Sequence, residues 1–178
     1  MRKLIHQEIQ LQRKSQEQME ALKRFPIVCL IDNVRSLYNV GSIFRTSDGA
    51  CIEKIYLTGF TPTPPRKEIE KTSLGATKTI PWEYFEDPLV PIKMLKQNGY
   101  KIILVEMTTS GFNYSNLKVD NFPVCFIFGN ELVGVSNKLF EIADFSIEIP
   151  MHGSKHSLNV AVAYGIVLFD AIRVLTNK

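Results

Sequence analysis

Apolar positions along this chain gather into short unbroken runs, and the stretches between them are either polar and glycine-bearing or spaced like helices. Runs at 27–31, 54–58, 100–105, 124–128 and 145–149 read as strands buried on both faces. Between them, 39–48, 88–98 and 137–143 read as helices; the second carries Leu89, Ile92 and Leu95 on one face and stops at Gly99. Residues 2–24 predict a polar leading helix with a broken stripe of Leu4, Leu11, Met19 and Leu22, ended by Pro26. It either lies over the body, touches a partner, or is simply solvated. The segment 59–76 reads as a proline-stiffened loop with a short helix over 68–72, followed by a strand at 77–81 and by Trp82 in a core or interface role. A short paired segment is expected from Leu117. Strands alternating with helices predict an α/β fold, a mostly parallel sheet with helices on both faces.

The last helix, 158–175, is apolar on nearly every side, while Asn159, Asp170 and Arg173 make it a poor membrane span. Such a helix must be covered twice. Either it is a fully covered core helix or its second face is a subunit interface, and the latter predicts a homodimer. Ser157 stands where a cap for this helix is expected.

With 178 residues, one main domain over 26–178 preceded by a helical extension over 1–25 is expected. The net charge of +3 sits in that extension, which has six basic and three acidic residues, while the remainder is balanced. A basic leading segment can meet phosphates, but the excess is modest. Cys29, Cys51 and Cys125 are odd in number and lack ligand spacing, so they read as reduced structural thiols of a cytoplasmic protein. No leader is visible. His152 and His156 have no third ligand nearby, so no metal is expected; no P-loop, dinucleotide fingerprint or nucleophile elbow is present.

In open parallel sheets, ligands sit just past the carboxyl ends of the strands. Two runs here end in such loops, 124–128 before Gly129, Asn130 and Glu131, and 145–149 before Pro150, Met151, His152 and Gly153, which makes Glu131, Ser157 and Asn159 the first suspects. A third loop, from Glu106 to Gly111 after the 100–105 run, should lie beside them. Gly41 inside the 39–48 helix costs about 1 kcal/mol relative to alanine, which makes sense where backbone or ligand comes close.

Gly129, Glu131, Gly134, Val135 and Ser136 resemble the Gly-x-Glu-x-x-Gly-[Leu/Ile/Val]-Ser motif of the SpoU branch of the SPOUT superfamily, the ribose 2′-O-methyltransferases. Ile149, Pro150, Met151, His152 and Gly153 with Ser157, Leu158, Asn159, Val160 and Ala161 resemble that branch's third motif, and Asn39, Gly41, Ile43 and Arg45 resemble its first. The resemblance covers most of 27–175 and implies a trefoil-knotted α/β domain that binds S-adenosylmethionine and methylates a ribose 2′-oxygen in tRNA or rRNA. It implies catalytic roles for Asn39, Arg45, Glu131, Ser157 and Asn159. Cofactor contacts would come from Val105, Glu106, Phe128, Gly129, Asn130, Glu131, Ile149, Pro150, Met151, Ser157 and Leu158. Arg45 would reach the other subunit's cofactor, either activating the hydroxyl or clamping a phosphate; a guanidinium is a poor base. Arg35, Arg45, Arg66, Lys67 and Lys71 are the expected RNA contacts. The alternative is a methyltransferase-like RNA-binding protein without catalysis.

Overall fold

The computed structural model describes residues 1–11, 14 and 16–176; residues 12, 13 and 15 of the expected leading helix, and 177–178, lie outside that description. The first half comprises α1 (His6–Leu11), α2 (Gln16–Glu20), β1 (Phe25–Asp32), α3 (Leu37–Ala50), β2 (Ile52–Thr58), α4 (Lys67–Ser73) and β3 (Trp82–Phe85). The second comprises α5 (Leu89–Gln97), β4 (Lys101–Val105), β5 (Phe112–Asn113), β6 (Val124–Phe128), α6 (Asn137–Phe140), β7 (Phe145–Glu148) and α7 (Val160–Thr176).

The seven strands form one sheet in the order β3-β2-β1-β6-β4-β7-β5, every pair parallel. Alternate residues of β1 serve two cores. Ile27, Cys29 and Ile31 pack with Phe44 of α3, Ile69 of α4 and Tyr164, Val167 and Leu168 of α7. Val28 and Leu30 pack with Ile92 and Leu95 of α5 and Leu139 of α6. Both sheet faces are thus covered, which is why the strands read as unbroken apolar runs. Burial pushes the Cys29 thiol up to about 12, against a weaker hydrogen bond with Tyr164, so it packs as a small apolar residue. The pairs Ile31–Phe128, Leu104–Ile127 and Val105–Ile147 bring the carboxyl ends of β1, β6, β4 and β7 to one edge. β7 lies between β4 and β5, which precede it in the chain.

Helices α3 and α4 touch at Gly41. A Cβ there would come within 2.0 Å of Thr72 Oγ1 and 2.4 Å of the Ile69 carbonyl oxygen. The close approach expected from this glycine is therefore backbone, supplied by α4.

Several boundaries differ from the sequence reading. Helix α3 starts earlier, capped by Ser36, whose Oγ accepts the Asn39 amide at 3.3 Å, so Asn39 lies inside the helix. Helix α7 is capped by Asn159, not Ser157: Asn159 Oδ1 accepts the Ala161 amide at 2.9 Å. The strand expected at 77–81 is absent. Ala76–Lys78 form a 3-10 turn after Gly75 at φ 92, and Thr77 and Thr79 donate to Glu70 and Asp48. Thr79 Oγ1 also donates to the Ala76 carbonyl at 3.1 Å; such local bonds to the backbone compete with strand pairing, and the edge strand is instead β3, which includes Trp82. The paired segment expected from Leu117 is Phe112–Asn113, joined to β7; Leu117 itself is buried. The leading stretch contains two short helices, α1 and α2.

Candidate active site

The strand-end edge holds a cavity of about 630 Å³. Its lining includes Val105, Glu106, Phe128, Gly129, Asn130, Glu131, Ile149, Met151, Ser157 and Leu158, so ten of the eleven residues expected at a cofactor meet there. Pro150 is exposed and off the lining. Sequence reasoning did not place Met107, Val135, Asn137, Phe140, Glu148 or His156 at the cofactor, and they also line the cavity. Those on β7 and the 133–137 loop sit beside named residues and follow from strand register; Phe140 and His156 carry no such signal. Among the described residues no cluster of three His, Cys, Asp or Glu could hold a metal ion, and no helix is long and apolar enough to cross a membrane.

The loop after β6 is built tightly. Asn130 Oδ1 accepts the amides of Leu132 and Val133 at 2.8 and 3.1 Å, while its Nδ2 donates to the Asn33 carbonyl at 2.8 Å. Gly134 adopts φ 71, and a Cβ there would stand 2.3 Å from Glu106 Oε2, which accepts the Val135 amide at 3.0 Å. Fully buried Asp32, at the end of β1, accepts the Ser136 amide at 2.9 Å. The loop is thereby pinned to β1 and β4 at once.

That pinning presents Glu131 to the start of α3. Its Oε2 accepts the Arg35 amide at 3.0 Å; its Oε1 accepts the Ser36 amide at 3.1 Å and Asn39 Nδ2 at 2.9 Å. Asn39 Oδ1 in turn accepts Asn159 Nδ2 at 3.1 Å. One polar chain thus links the three motifs, Glu131 to Asn39 to Asn159. Partial burial pushes the Glu131 carboxyl up, but the bonds from Arg35, its own backbone, Asn39 and Ser36 outweigh it and hold the group below the usual range.

Arg45 lies elsewhere. It is exposed on α3, two turns beyond exposed Tyr38, and its side chain makes no hydrogen bond or ion pair among the described residues. It does not line the cavity of its own chain. The side chains of Arg35, Arg66, Lys67 and Lys71 are exposed, and Arg66 borders a second hollow at the ends of β2 and β3.

The profile of the SpoU rRNA Methylase family matches residues 26–169. A tRNA (guanosine(18)-2'-O)-methyltransferase of Aquifex aeolicus is 32% identical over 153 residues, covering 85% of this chain and 71% of its own length. A protein of Staphylococcus saprophyticus, assigned to the TrmH family of tRNA/rRNA methyltransferases, is 30% identical over 88% of this chain and 62% of its own length. The crystal structure of an AdoMet-bound rRNA methyltransferase from Sinorhizobium meliloti superposes with a TM-score of 0.79 at 29% identity, covering 86% of this chain and 58% of that one. The chain therefore spans less than two thirds of the staphylococcal and rhizobial proteins. The SPOUT architecture, knot included, comes with this shared fold. Because the family match takes in the cavity and every residue of the Glu131 network, the chain belongs to the SpoU rRNA Methylase family.

Proposed function

We propose that this protein transfers a methyl group from S-adenosylmethionine to the 2′-oxygen of a ribose in tRNA or rRNA. The observation that carries the reading is the Glu131–Asn39–Asn159 chain beside the strand-end cavity. The cavity's volume lies within the range of roughly 300–1,000 Å³ usual for small-molecule sites. Its walls combine apolar Phe128, Ile147, Ile149 and Leu158 with the carboxylates of Glu106, Glu131 and Glu148, acceptors suited to the amino group of a purine and to a cationic sulfonium. The wall itself needs glycine at 129 and 134 to close: a Cβ on Gly129 would stand 2.3 Å from the Gly134 carbonyl carbon.

When bound, S-adenosylmethionine supplies an electrophilic methyl carbon, which leaves alignment and water exclusion to the protein. Glu131 fixes the start of α3 against the cavity; Asn39 and Asn159 hold the α7 cap to the same point. Ser157 and Met151 wall the mouth. Arg35, Arg66, Lys67 and Lys71 bind RNA phosphates. Arg45 is exposed and does not line its own chain's cavity, so it serves the cavity of a second copy, engaging the target nucleotide there. A homodimer follows from this and from α7, on which Val162, Ile166 and Phe169 form a stripe; Val162 and Phe169 are about half exposed, at 51% and 52%.

The test is mass mapping of ribose methylation after incubating the protein with methyl-labelled S-adenosylmethionine and total tRNA and rRNA. Arg45→Ala should lower single-turnover methylation at saturating RNA by about 100-fold or more, with cofactor affinity by calorimetry unchanged. Near-normal turnover in that variant would leave Arg45 a phosphate contact only, and Arg45→Lys separates charge from the planar fork. RNA binding by the wild type without any methylated ribose would favour the non-catalytic reading.

A further inference from the structure

The second hollow, at the ends of β2 and β3, has no part in the cavity just described. It measures about 430 Å³. Phe60 stands 62% exposed at its rim and Tyr84 45% exposed, an unusual outlay of aromatic surface on one side of the sheet edge. Arg66 borders it, its guanidinium makes no hydrogen bond or ion pair among the described residues, and no carboxylate lines it. The loop that carries Phe60 is fixed: Tyr84 OH donates to the Gly59 carbonyl at 2.7 Å, and the Phe60 amide donates to Asn33 Oδ1 at 3.1 Å. Asn33 also donates to Ser136 Oγ at 3.1 Å and accepts from Asn130 through its carbonyl at 2.8 Å. The loop beneath Phe60 and the loop that walls the cofactor cavity are thus bonded to one residue. Strands lie about 4.8 Å apart, so the end of β2 is roughly 10 Å from the end of β6.

Resting on the methyl-transfer reading, we propose that this hollow is a stacking subsite for an unpaired base of the RNA, next to the methylated nucleotide. The Phe60 ring receives the base face; Arg66 receives its phosphate. Rigid aromatic platforms with a free cation and no competing anion are how single strands are held without reading sequence. Asn33 keeps the platform at a constant offset from the reaction cavity, so binding a base there positions the neighbouring ribose.

Trp82 is the only tryptophan in the chain and lines this hollow, edge-on to Phe44 at 6.1 Å. A short oligouridylate added to the intact protein should therefore change its fluorescence, in a salt-sensitive manner, while duplex RNA of equal length should not. Phe60→Ala should weaken that binding and raise the KM for full-length RNA roughly tenfold, the loss of one stacked base, with kcat and cofactor affinity retained. Phe60→Tyr should restore both. Arg66→Ala should lower affinity and reduce the salt slope. A KM within twofold of wild type for Phe60→Ala overturns the subsite while methyl transfer stands. An unchanged Trp82 signal with oligouridylate overturns it as well, and this readout holds even if no methylation is found. A change in sedimentation rather than RNA affinity in Phe60→Ala would assign the hollow to a protein contact and overturn the proposal.

Discussion

Glu131 offers two carboxylate oxygens to three N–H donors, a match that an amide cannot reproduce. In Glu131→Gln, an NH2 group would face the Arg35 or Ser36 amide, donor against donor. We expect a loss of about 1 kcal/mol, the low end for charge-assisted bonds because water reaches this side chain, together with slower methylation. The sign of the pH dependence follows from the lowered carboxyl. Partial burial opposes ionisation and the four hydrogen-bond contributions overcome it, so the folded state favours the anion. That stabilisation is complete above the ordinary glutamate range and is lost as pH falls through the depressed folded value. Melting temperatures of wild type and Glu131→Gln, compared across an acid series, should converge at the acid end. Glu131 was readable in the sequence because it follows a strand end. Its partners were not: Asn39 is 92 positions away, and no spacing encodes a contact closed through space. Nor could residue order tell that Asn159, rather than Ser157, caps α7.

At the scale of elements, α3 contains two glycines with opposite expectations. Alanine at Gly41 would gain helix propensity of about 1 kcal/mol but drive a methyl into the α4 backbone. The net effect of Gly41→Ala should be destabilisation of about 1–3 kcal/mol, with α4 displaced. Gly49, with nothing within 4 Å of its would-be Cβ, should accept alanine with no loss. Urea unfolding of the two variants side by side checks the contrast; equal stabilities would refute the account of Gly41 as a packing site. Strands β1, β2, β4, β6 and β7 were legible because burial on both faces leaves a continuous apolar run. The region 76–85 was misread because Thr77 and Thr79 have strand-like composition but spend their hydroxyls on Glu70 and Asp48, and because a short edge strand such as β3, with exposed Glu83 and Tyr84, lacks that run.

At the scale of the molecule, parallel α/β layering follows from the alternation of runs and helices, whereas the knot was reachable only through the family resemblance and the strand order was not read at all, since periodicity carries no information on threading. The proposed dimer makes a strict prediction about which chain supplies which part. Arg45→Ala subunits retain an intact cavity, and subunits with Gly129→Val, whose side chain would strike the 134–135 backbone, retain Arg45. Neither homodimer should methylate RNA. Mixing them with exchange of subunits should recover about a quarter of wild-type activity, from the one composite site per mixed dimer; no recovery would place Arg45 in its own chain's site. Sedimentation should give a dimer that Phe169→Glu disrupts. The bond between Asn39 and Asn159 spans 120 positions, so a ribosome that has released β1 through β6 carries a chain whose last partner has not yet been made. Until residue 159 folds back, Asn39 lacks its partner at the α7 cap, so the polar network that joins the three motifs is completed last in the order of synthesis.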